Sequence, residues 1–260
     1  MSFITSAIRS GLRAFDIDVA RRSTLEDLRA RASAADDLQL LRTLPHEHAS
    51  RLLALMDHSM AQLRQDLFVL SHLEFKTGGF FVEFGATNGV DLSNTHLLEK
   101  EFAWHGILAE PARCWHQALH SNRSASIEDA CVWKSSGSTL TFNEVELPEL
   151  STVDAFSGVD QHAQFRERGK TYNVNTISLA DLLAKHGAPQ QIDYLSIDTE
   201  GSEFEILQHF DFDKYAFRVI TCEHNFTPMR EKLHELLTGH GYVRRYEDLS
   251  KFDDWYVRPN

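Results

Sequence analysis

Acidic residues recur at or near the ends of short apolar segments between residues 80 and 224, a pattern that suits ligand binding. They are Glu83, Glu110, Asp129, Asp198 and Glu223, the last followed directly by His224. Carboxylates and imidazole can accept hydrogen bonds from hydroxyl groups, bind cations and take up protons. A single acid after a strand is commonly a helix cap. Five in succession indicate a ligand site.

The first of these segments opens into a glycine-flanked turn, in the run Phe80-Phe81-Val82-Glu83-Phe84-Gly85-Ala86-Thr87-Asn88-Gly89. The apolar residues predict a buried parallel strand, and the two glycines let the backbone turn sharply and approach a ligand. The third glycine of a G-x-G-x-x-G dinucleotide loop is absent, as is the Gly-Lys-Ser/Thr of a phosphate loop. Because an acid precedes the first glycine, a cationic ligand fits better than a polyanion, and the sulfonium compound S-adenosylmethionine has this charge.

From residue 78 the chain alternates between strand and helix patterns, which predicts a mostly parallel sheet with right-handed crossovers. Strands are predicted at 80–84, 106–110, 126–132, 192–198 and 217–223, and helices at 93–102, 115–121, 202–210 and 228–238. Residues 241–259 are expected to close the sheet as an antiparallel pair. Ligands of such sheets bind at the carboxyl ends of the strands. There Glu110 could accept both hydroxyls of a ribose, and Asp129 with Ala130 could read an adenine edge.

The first 75 residues read as a helical N-terminal extension before a domain at 76–260. Apolar residues between positions 3 and 15 share one face with Arg9 and Arg13 beside them, which suits packing on the chain's own domain or contact with a membrane surface or a partner. Leucines and methionines at steps of three and four predict one helix over 50–75. The run His46-Glu47-His48 is interpreted as a solvated loop, because positions i and i+2 face together only on a strand.

Composition sets limits on the function. The chain has 260 residues, 42% of them hydrophobic, which suits a globular enzyme. A net charge of −12 disfavours nucleic acid as a partner, since phosphate binding needs clustered Lys and Arg. The three cysteines show no C-x-x-C spacing, so a reducing cytoplasm is expected. Neither a membrane-spanning run nor a secretory signal is evident.

Several blocks of the sequence together resemble the FkbM family of S-adenosylmethionine-dependent methyltransferases. The blocks are 79–86, Ser93-Asn94-Thr95, Leu98-Glu99, 104–111, Asn122-Arg123, 174–179 and 192–203, which contains Asp198-Thr199-Glu200-Gly201. The resemblance runs from about residue 65 to the C-terminus and is specific to the family, though not to a substrate. It implies a Rossmann-like class I methyltransferase fold of the α/β class, with a seven-stranded, mostly parallel sheet and helices on both faces. It also implies methylation of a hydroxyl oxygen, often on a sugar or a polyketide.

Carried over by position, the resemblance implies roles for individual residues. The methionine part of the cofactor would lie near Glu83, Gly85, Ala86 and Asn88, with Ser93 opening the helix that faces it as its N-cap. The resemblance also implies that Glu110 binds the ribose and that Asp129 and Ala130 bind the adenine. Asp198 would lie beside the methyl group. An alternative interpretation of Asp198-Thr199-Glu200-Gly201 is a strand-to-helix turn whose acids cap the following helix.

A neutral hydroxyl is a poor nucleophile until a base or a metal takes up the charge of its proton. Asp198, Glu223 and His224 could bind a divalent cation such as Mg²⁺. Similar sugar O-methyltransferases hold magnesium with acids, whereas this chain has His224 where a second acid is expected, so His224 could instead be the general base. Both hypotheses stay open at this point.

The segment 150–170 lacks periodicity and is interpreted either as a lid that contacts a polar acceptor or as a solvated loop. The sequence therefore favours a cytoplasmic O-methyltransferase of polysaccharide biosynthesis that acts on a saccharide or a glycosylated metabolite. A homo-oligomer is compatible with it. Two alternatives remain, a nicotinamide-dependent oxidoreductase and a non-catalytic binding protein on a methyltransferase scaffold.

Overall fold

The computed structural model describes residues 22–259 and divides the chain into two compact units, 1–43 and 44–260. The described part of the first unit is a helix, α1 (Arg22–Thr43), in which Arg31 pairs with Asp27 one turn earlier at 3.0 Å. The amphipathic segment predicted at residues 3–15 lies outside the described residues. Within residues 22–259, no helix has both the length and the apolar character needed to cross a membrane.

The second unit begins with two short helices, α2 (Ala49–Leu55) and α3 (Gln65–His72). The prediction of one helix over 50–75 is wrong, because Ser59 is extended and Arg64 has a left-handed backbone with φ of 62°. The Ser59 hydroxyl donates to Asp66 at 2.6 Å, and the Arg64 guanidinium donates to two carbonyls of the preceding turn. These polar contacts stabilise a break that apolar spacing does not reveal.

Eleven strands follow in the described residues. They are β1 (Phe80–Phe84), β2 (His105–Ala109), β3 (Ser126–Glu128), β4 (Cys131–Trp133), β5 (Thr139–Glu144), β6 (Thr152–Val153), β7 (Lys170–Ser178), β8 (Gln191–Ile197), β9 (Ala216–Glu223), β10 (Val243–Arg245) and β11 (Asp253–Val257). The helices between them are α4 (His96–Phe102), α5 (Arg113–Asn122), α6 (Ala163–Arg166), α7 (Leu179–Lys185), α8 (Glu203–Leu207), α9 (Met229–Gly239) and α10 (Glu247–Ser250).

Seven strands form the main sheet in the order β10-β11-β9-β8-β1-β2-β3. The pairs among β9, β8, β1, β2 and β3 are parallel, whereas β11 is antiparallel to both β9 and β10. The expected seven-stranded, mostly parallel sheet is confirmed, as is the antiparallel C-terminal pair. The order of strands reverses between β1 and β8, so the carboxyl ends of these two strands flank a crevice suited to a ligand.

A second sheet of four strands, in the order β4-β7-β5-β6, stands apart from the first. The prediction of a single strand over 126–132 is therefore wrong, because two strands occupy this segment. Its first part pairs with β2 in the main sheet, and its second part pairs with β7, where Cys131 lies opposite Thr176. The second sheet also contains β5 and β7, which the sequence did not predict.

Successive side chains of β1 point alternately to the two faces of the main sheet, and both faces are buried. Val82 and Phe84 join a buried apolar cluster with β8, β9, α7, α8 and α9. Phe81 and Glu83 face the other side, because successive side chains of a strand point to opposite faces. The Arg123 guanidinium lies there, 5.5 Å from the centre of the Phe81 ring.

Candidate functional site

A cavity of about 440 Å³ opens at the carboxyl ends of the central strands. Its walls contain residues from each strand end, namely Glu83, Phe84, Gly85 and Thr87 at β1, Ala109, Glu110 and Pro111 at β2, Ser196, Asp198, Thr199 and Glu200 at β8, and Glu223 and Asn225 at β9. The segment between β5 and β7 adds Pro148, Glu149, Leu150, Ser151, Val153, Gln161 and His162. The segment predicted as a lid therefore supplies part of the wall. Its closure over a ligand stays a prediction.

Gly85 lies where the loops after β1 and β8 touch. Its φ is +71°, and a Cβ atom at this position would lie 2.0 Å from the carbonyl oxygen of Asp198. Only glycine satisfies both conditions without strain or a clash. Ala86 follows it and is buried. The Asn88 side chain accepts from the backbone N–H groups of Val90 and Asp91 at 2.9 Å, so it shapes the loop and does not line the cavity.

Glu83 organises the loop after β1. One carboxyl oxygen accepts from the hydroxyls of Ser93 at 3.0 Å and Thr95 at 2.5 Å, and the other accepts from the backbone N–H of Asn94 at 2.7 Å. Burial raises the pKa of Glu83, and Arg123 opposes that rise. Both oxygens are thus engaged by protein groups, which limits what Glu83 can offer to the methionine part of a cofactor.

Ser93 is buried and is not the N-cap that the sequence predicted. Helix α4 begins at His96 with Thr95 as its N-cap, and the Ser93 hydroxyl accepts from the backbone N–H groups of both residues. The loop instead depends on Arg123, whose fully buried side chain donates to the Ser93 and Thr95 hydroxyls and to the Gly89 carbonyl. Arg123 belongs to the Asn122-Arg123 block on which the family resemblance rests, but nothing in the sequence indicates that its side chain contacts the loop after β1.

Glu110 follows β2 and is buried at the cavity wall. Its oxygens accept from the backbone N–H groups of Thr87 at 2.8 Å and Ala112 at 2.7 Å. Since a carboxylate has about four acceptor positions, each oxygen keeps one for a ligand hydroxyl. Burial raises the pKa of Glu110 from 4.5 to about 7, with Asp198 and Glu144 adding to the rise.

This pKa predicts a pH effect on stability. Between pH 4.5 and 7 the folded protein keeps the Glu110 proton that the unfolded chain loses, so the unfolding free energy contributed by this group falls as the pH rises. We expect the melting temperature of Glu110→Gln to fall less between pH 5 and pH 8 than that of the wild type. Thermal melts at both pH values measure this slope. The exposed control Glu235→Gln should keep the wild-type slope, and an unchanged slope in Glu110→Gln would contradict the assignment.

Three carboxyl groups converge beside Gly85. One oxygen from each of Asp198, Glu200 and Glu223 lies within 4.8 Å of the others. Burial raises the pKa of Asp198 to about 6 and that of Glu200 to about 9, and it also raises the pKa of Glu223. Such a cluster retains protons near neutral pH, or binds a cation that replaces them. Glu200 and Glu223 are buried, whereas Asp198 opens into the cavity.

The model of the Methyltransferase FkbM domain matches residues 83–249, more than half of the chain, and spans the strand ends around this cavity. The chain belongs to the FkbM methyltransferase family. Its α/β sheet is accordingly a Rossmann-like class I methyltransferase fold, and the family implies S-adenosylmethionine as the methyl donor. A comparison with curated proteins found no match.

The solved structures that match this FkbM domain share little sequence identity with it and superpose on it with low TM-scores. Precorrin-6y C5,15-methyltransferase from Geobacter metallireducens is 13% identical over 74% of this chain and 85% of that chain, with a TM-score of 0.39. The CurJ carbon methyltransferase is 10% identical over 94% of this chain and 72% of that chain, with a TM-score of 0.40. Likenesses this weak say nothing about the chemistry of the FkbM domain.

His224 does not reach the cavity of the FkbM domain. Glu223 ends β9 and faces the cavity, whereas the next side chain along the strand points to the other face. The His224 Nδ1 accepts from the backbone N–H of Phe226 at 3.0 Å, and its Nε2 lies 3.8 Å from Asp254. The prediction that His224 is the general base or a metal ligand is therefore corrected, and Glu200 takes its place beside Asp198 and Glu223.

Glu200 is held in place by the segment between β5 and β7. The buried guanidinium of Arg166 donates to its carboxyl group at 2.7 Å, and the Thr152 hydroxyl donates to its carbonyl at 3.0 Å. The backbone of Glu200 is left-handed, with φ of 57°, which is uncommon for a residue with a side chain. In the sequence this residue is part of the run Asp198-Thr199-Glu200-Gly201, but the resemblance gave a role in that run only to Asp198. None of these residues caps helix α8, whose N-cap is Ser202 without a side-chain hydrogen bond; Glu203 instead closes the turn by accepting from the backbone N–H groups of Thr199 and Gly201.

Asp129 and Ala130 lie after β3, and among the described residues neither lines the cavity. The Asp129 side chain is 52% exposed and lies beside His116 and His120, at 3.9 and 3.5 Å. The backbone N–H of Ala130 donates to Glu128 at 3.3 Å. The apolar wall near this strand end is formed instead by Cys131 and Val132. Recognition of adenine by Asp129 and Ala130 stays a prediction.

Proposed function

We propose that the chain transfers a methyl group from S-adenosylmethionine to a hydroxyl oxygen of a saccharide or a glycosylated metabolite. The observation that carries this proposal is the cluster of Asp198, Glu200 and Glu223 in the wall of the cavity. A neutral hydroxyl needs a group that takes up its proton or stabilises the charge left behind, and carboxylates can do either. The three cysteines are free thiols, which supports a cytoplasmic setting.

The residues present fit the proposed cofactor. Gly85 lines the cavity and lets the loops after β1 and β8 meet there, and the free acceptor positions of Glu110 suit the hydroxyls of a ribose. Bound S-adenosylmethionine would supply an electrophilic methyl group. Asp198 opens into the same cavity, and with a pKa of about 6 its carboxylate is ionised at neutral pH and can accept the proton of an acceptor hydroxyl.

The cluster also fits a divalent cation, because three carboxyl groups form an all-oxygen donor set of the kind that Mg²⁺ and Mn²⁺ favour. Asp198, Glu200 and Glu223 would hold the ion, which would supply positive charge beside the acceptor. Full turnover after exhaustive chelation would leave the carboxylate base as the sole activating group.

The test of the function combines binding and transfer. Calorimetry is expected to detect binding of S-adenosylmethionine, and tritiated cofactor is expected to label one fraction of an extract of cell-surface polysaccharide precursors. Binding of a nicotinamide nucleotide in place of S-adenosylmethionine would contradict the proposal in favour of an oxidoreductase. Cofactor binding with no labelled fraction would favour a binding protein.

The affinity for a cation tests whether Glu200 or His224 is a metal ligand. We expect Glu200→Gln to weaken the binding of Mn²⁺ by about tenfold or more, because it removes one of three carboxyl ligands that can give up a proton to the ion. The matched variant His224→Gln lies next to the cluster in sequence but faces away from it, so its affinity should equal that of the wild type. Calorimetric titration of the three proteins with Mn²⁺ measures the difference. A loss in His224→Gln with none in Glu200→Gln would restore the original ligand set.

A further inference from the structure

A small chamber adjoins the main cavity beside the pairing of β9 with β11. Its volume is about 20 Å³, enough for one group the size of a water molecule. The chamber and the cavity share six lining residues, namely Gln62, Leu92, Asn94, Asp198, Glu223 and Phe252. The chamber alone adds Gln65, Ile197 and Asp253. A ligand in the cavity can therefore extend one end into the chamber.

Two buried acceptors in the chamber wall have no hydrogen-bond partner within the protein. They are the Oδ1 atoms of Asn94 and Asp253, whose residues are only 8% and 4% exposed. The other Asp253 oxygen accepts from Gln65 at 3.0 Å and Trp255 at 3.3 Å, which fixes the carboxyl group. Because a buried acceptor without a donor is costly, these two atoms indicate a ligand that donates hydrogen bonds.

The charged residues that line the chamber indicate what kind of hydrogen-bond donor the ligand carries. Asp253 lies directly opposite Glu223 in the antiparallel register, so both side chains are on one face of the sheet. Asp198 lines the chamber as well, and among its described lining residues none is Lys, Arg or His. Acids this close to each other either keep protons of their own or have a cation between them. A positively charged donor can replace such protons and also satisfy the unpartnered oxygens, so it fits better than a neutral donor.

Glu83 lines the main cavity but not the chamber, and three of its acceptor positions are already taken by Ser93, Thr95 and Asn94. We propose that Asp253 and Asn94 bind the α-ammonium group at the amino-acid end of S-adenosylmethionine. This inference rests on the proposed function. An ammonium group has three donors, of which two satisfy the unpartnered oxygens and the third is directed to the Asp198–Glu223 side of the chamber.

The test compares three ligands by calorimetry in the presence of EDTA, so that no metal occupies the carboxyl cluster. They are S-adenosylhomocysteine, its analogue without the α-amino group, and 5′-methylthioadenosine, which lacks the amino-acid end. The wild type should bind S-adenosylhomocysteine at least about 30-fold more tightly than the analogue. In Asp253→Asn this preference should shrink to about threefold or less, with the affinity for 5′-methylthioadenosine unchanged.

The matched control is Asp254→Asn, the same substitution at the next residue, which pairs with Arg230 and Arg244. It should keep the preference. If Asp253→Asn fails to fold, Asn94→Ala is measured in its place, and an unchanged preference there overturns the inference. Equal binding of S-adenosylhomocysteine and its deaminated analogue by the wild type overturns it too, while the proposed function stands. If the wild type binds none of the three ligands, the proposed function fails and the inference fails with it.

Discussion

Gly85→Ala is expected to abolish cofactor binding and to lower the free energy of unfolding by about 2–5 kcal/mol. The added Cβ meets the carbonyl oxygen of Asp198 at 2.0 Å, and the φ of +71° is unfavourable for alanine. Since the contact joins the loops after β1 and β8, relieving it must separate the strand ends that line the cavity. Calorimetry with S-adenosylmethionine and chemical denaturation measure the two effects.

Gly78→Ala is the matched control for this substitution. Gly78 has a similar φ of +65°, but a Cβ atom there has nothing within 4 Å. The control should therefore lose only the backbone contribution, about 1–2 kcal/mol, and should bind the cofactor as the wild type does. Equal losses of stability and binding in the two variants would show that the contact with Asp198 does not matter.

Arg123→Met is expected to lower the free energy of unfolding by about 3–5 kcal/mol, because it leaves buried acids without their cation. The Arg123 side chain is fully buried, lies 2.9 Å from Glu99 and 3.8 Å from Glu83, and donates to Ser93 and Thr95. Its loss should also free the loop after β1 and weaken cofactor binding by about tenfold or more, since the binding loop would have to be ordered again. Urea denaturation and calorimetry on one preparation report both quantities.

Arg113→Met serves as the comparison for Arg123→Met. Arg113 is exposed, donates to the Asn173 carbonyl at 3.0 Å and lies 4.2 Å from the centre of the Tyr172 ring. Its replacement should cost less than about 1 kcal/mol and leave cofactor binding unchanged. A small effect of Arg123→Met, comparable to that of the control, would mean that the buried guanidinium is not what holds the loop.

The positions of most strands of the central sheet were predicted from the local sequence pattern. The apolar run before Gly85 predicted β1 at Phe80–Phe84 with the bounds that the structure has. The strands that end near Glu110, Asp198 and Glu223 also lie where apolar runs placed them, because strands buried on both faces are apolar throughout. The predicted gathering of these acids at one sheet edge followed from parallel pairing alone.

The wrong predictions concern segments whose structure depends on side-chain contacts or strand pairing that apolar spacing does not reveal. An apolar run at 126–132 looks like one strand, and only the presence of β7 draws Cys131–Trp133 into another sheet. The break at Ser59 depends on Asp66 and on the Arg64 side chain, which apolar spacing does not register. Glu83 has the position of a ligand-binding acid, but in the folded chain one of its oxygens accepts hydrogen bonds from Ser93 and Thr95.

The sequence by itself determined the family, the parallel sheet and the edge at which Glu110, Asp198 and Glu223 meet, because these follow from residue types within short segments. Only the tertiary structure decided that Glu200 and not His224 completes the carboxyl cluster. The physical reason is that neighbouring side chains at a strand end face opposite ways, and that the left-handed turn at Glu200 is held by Arg166 from a distant segment.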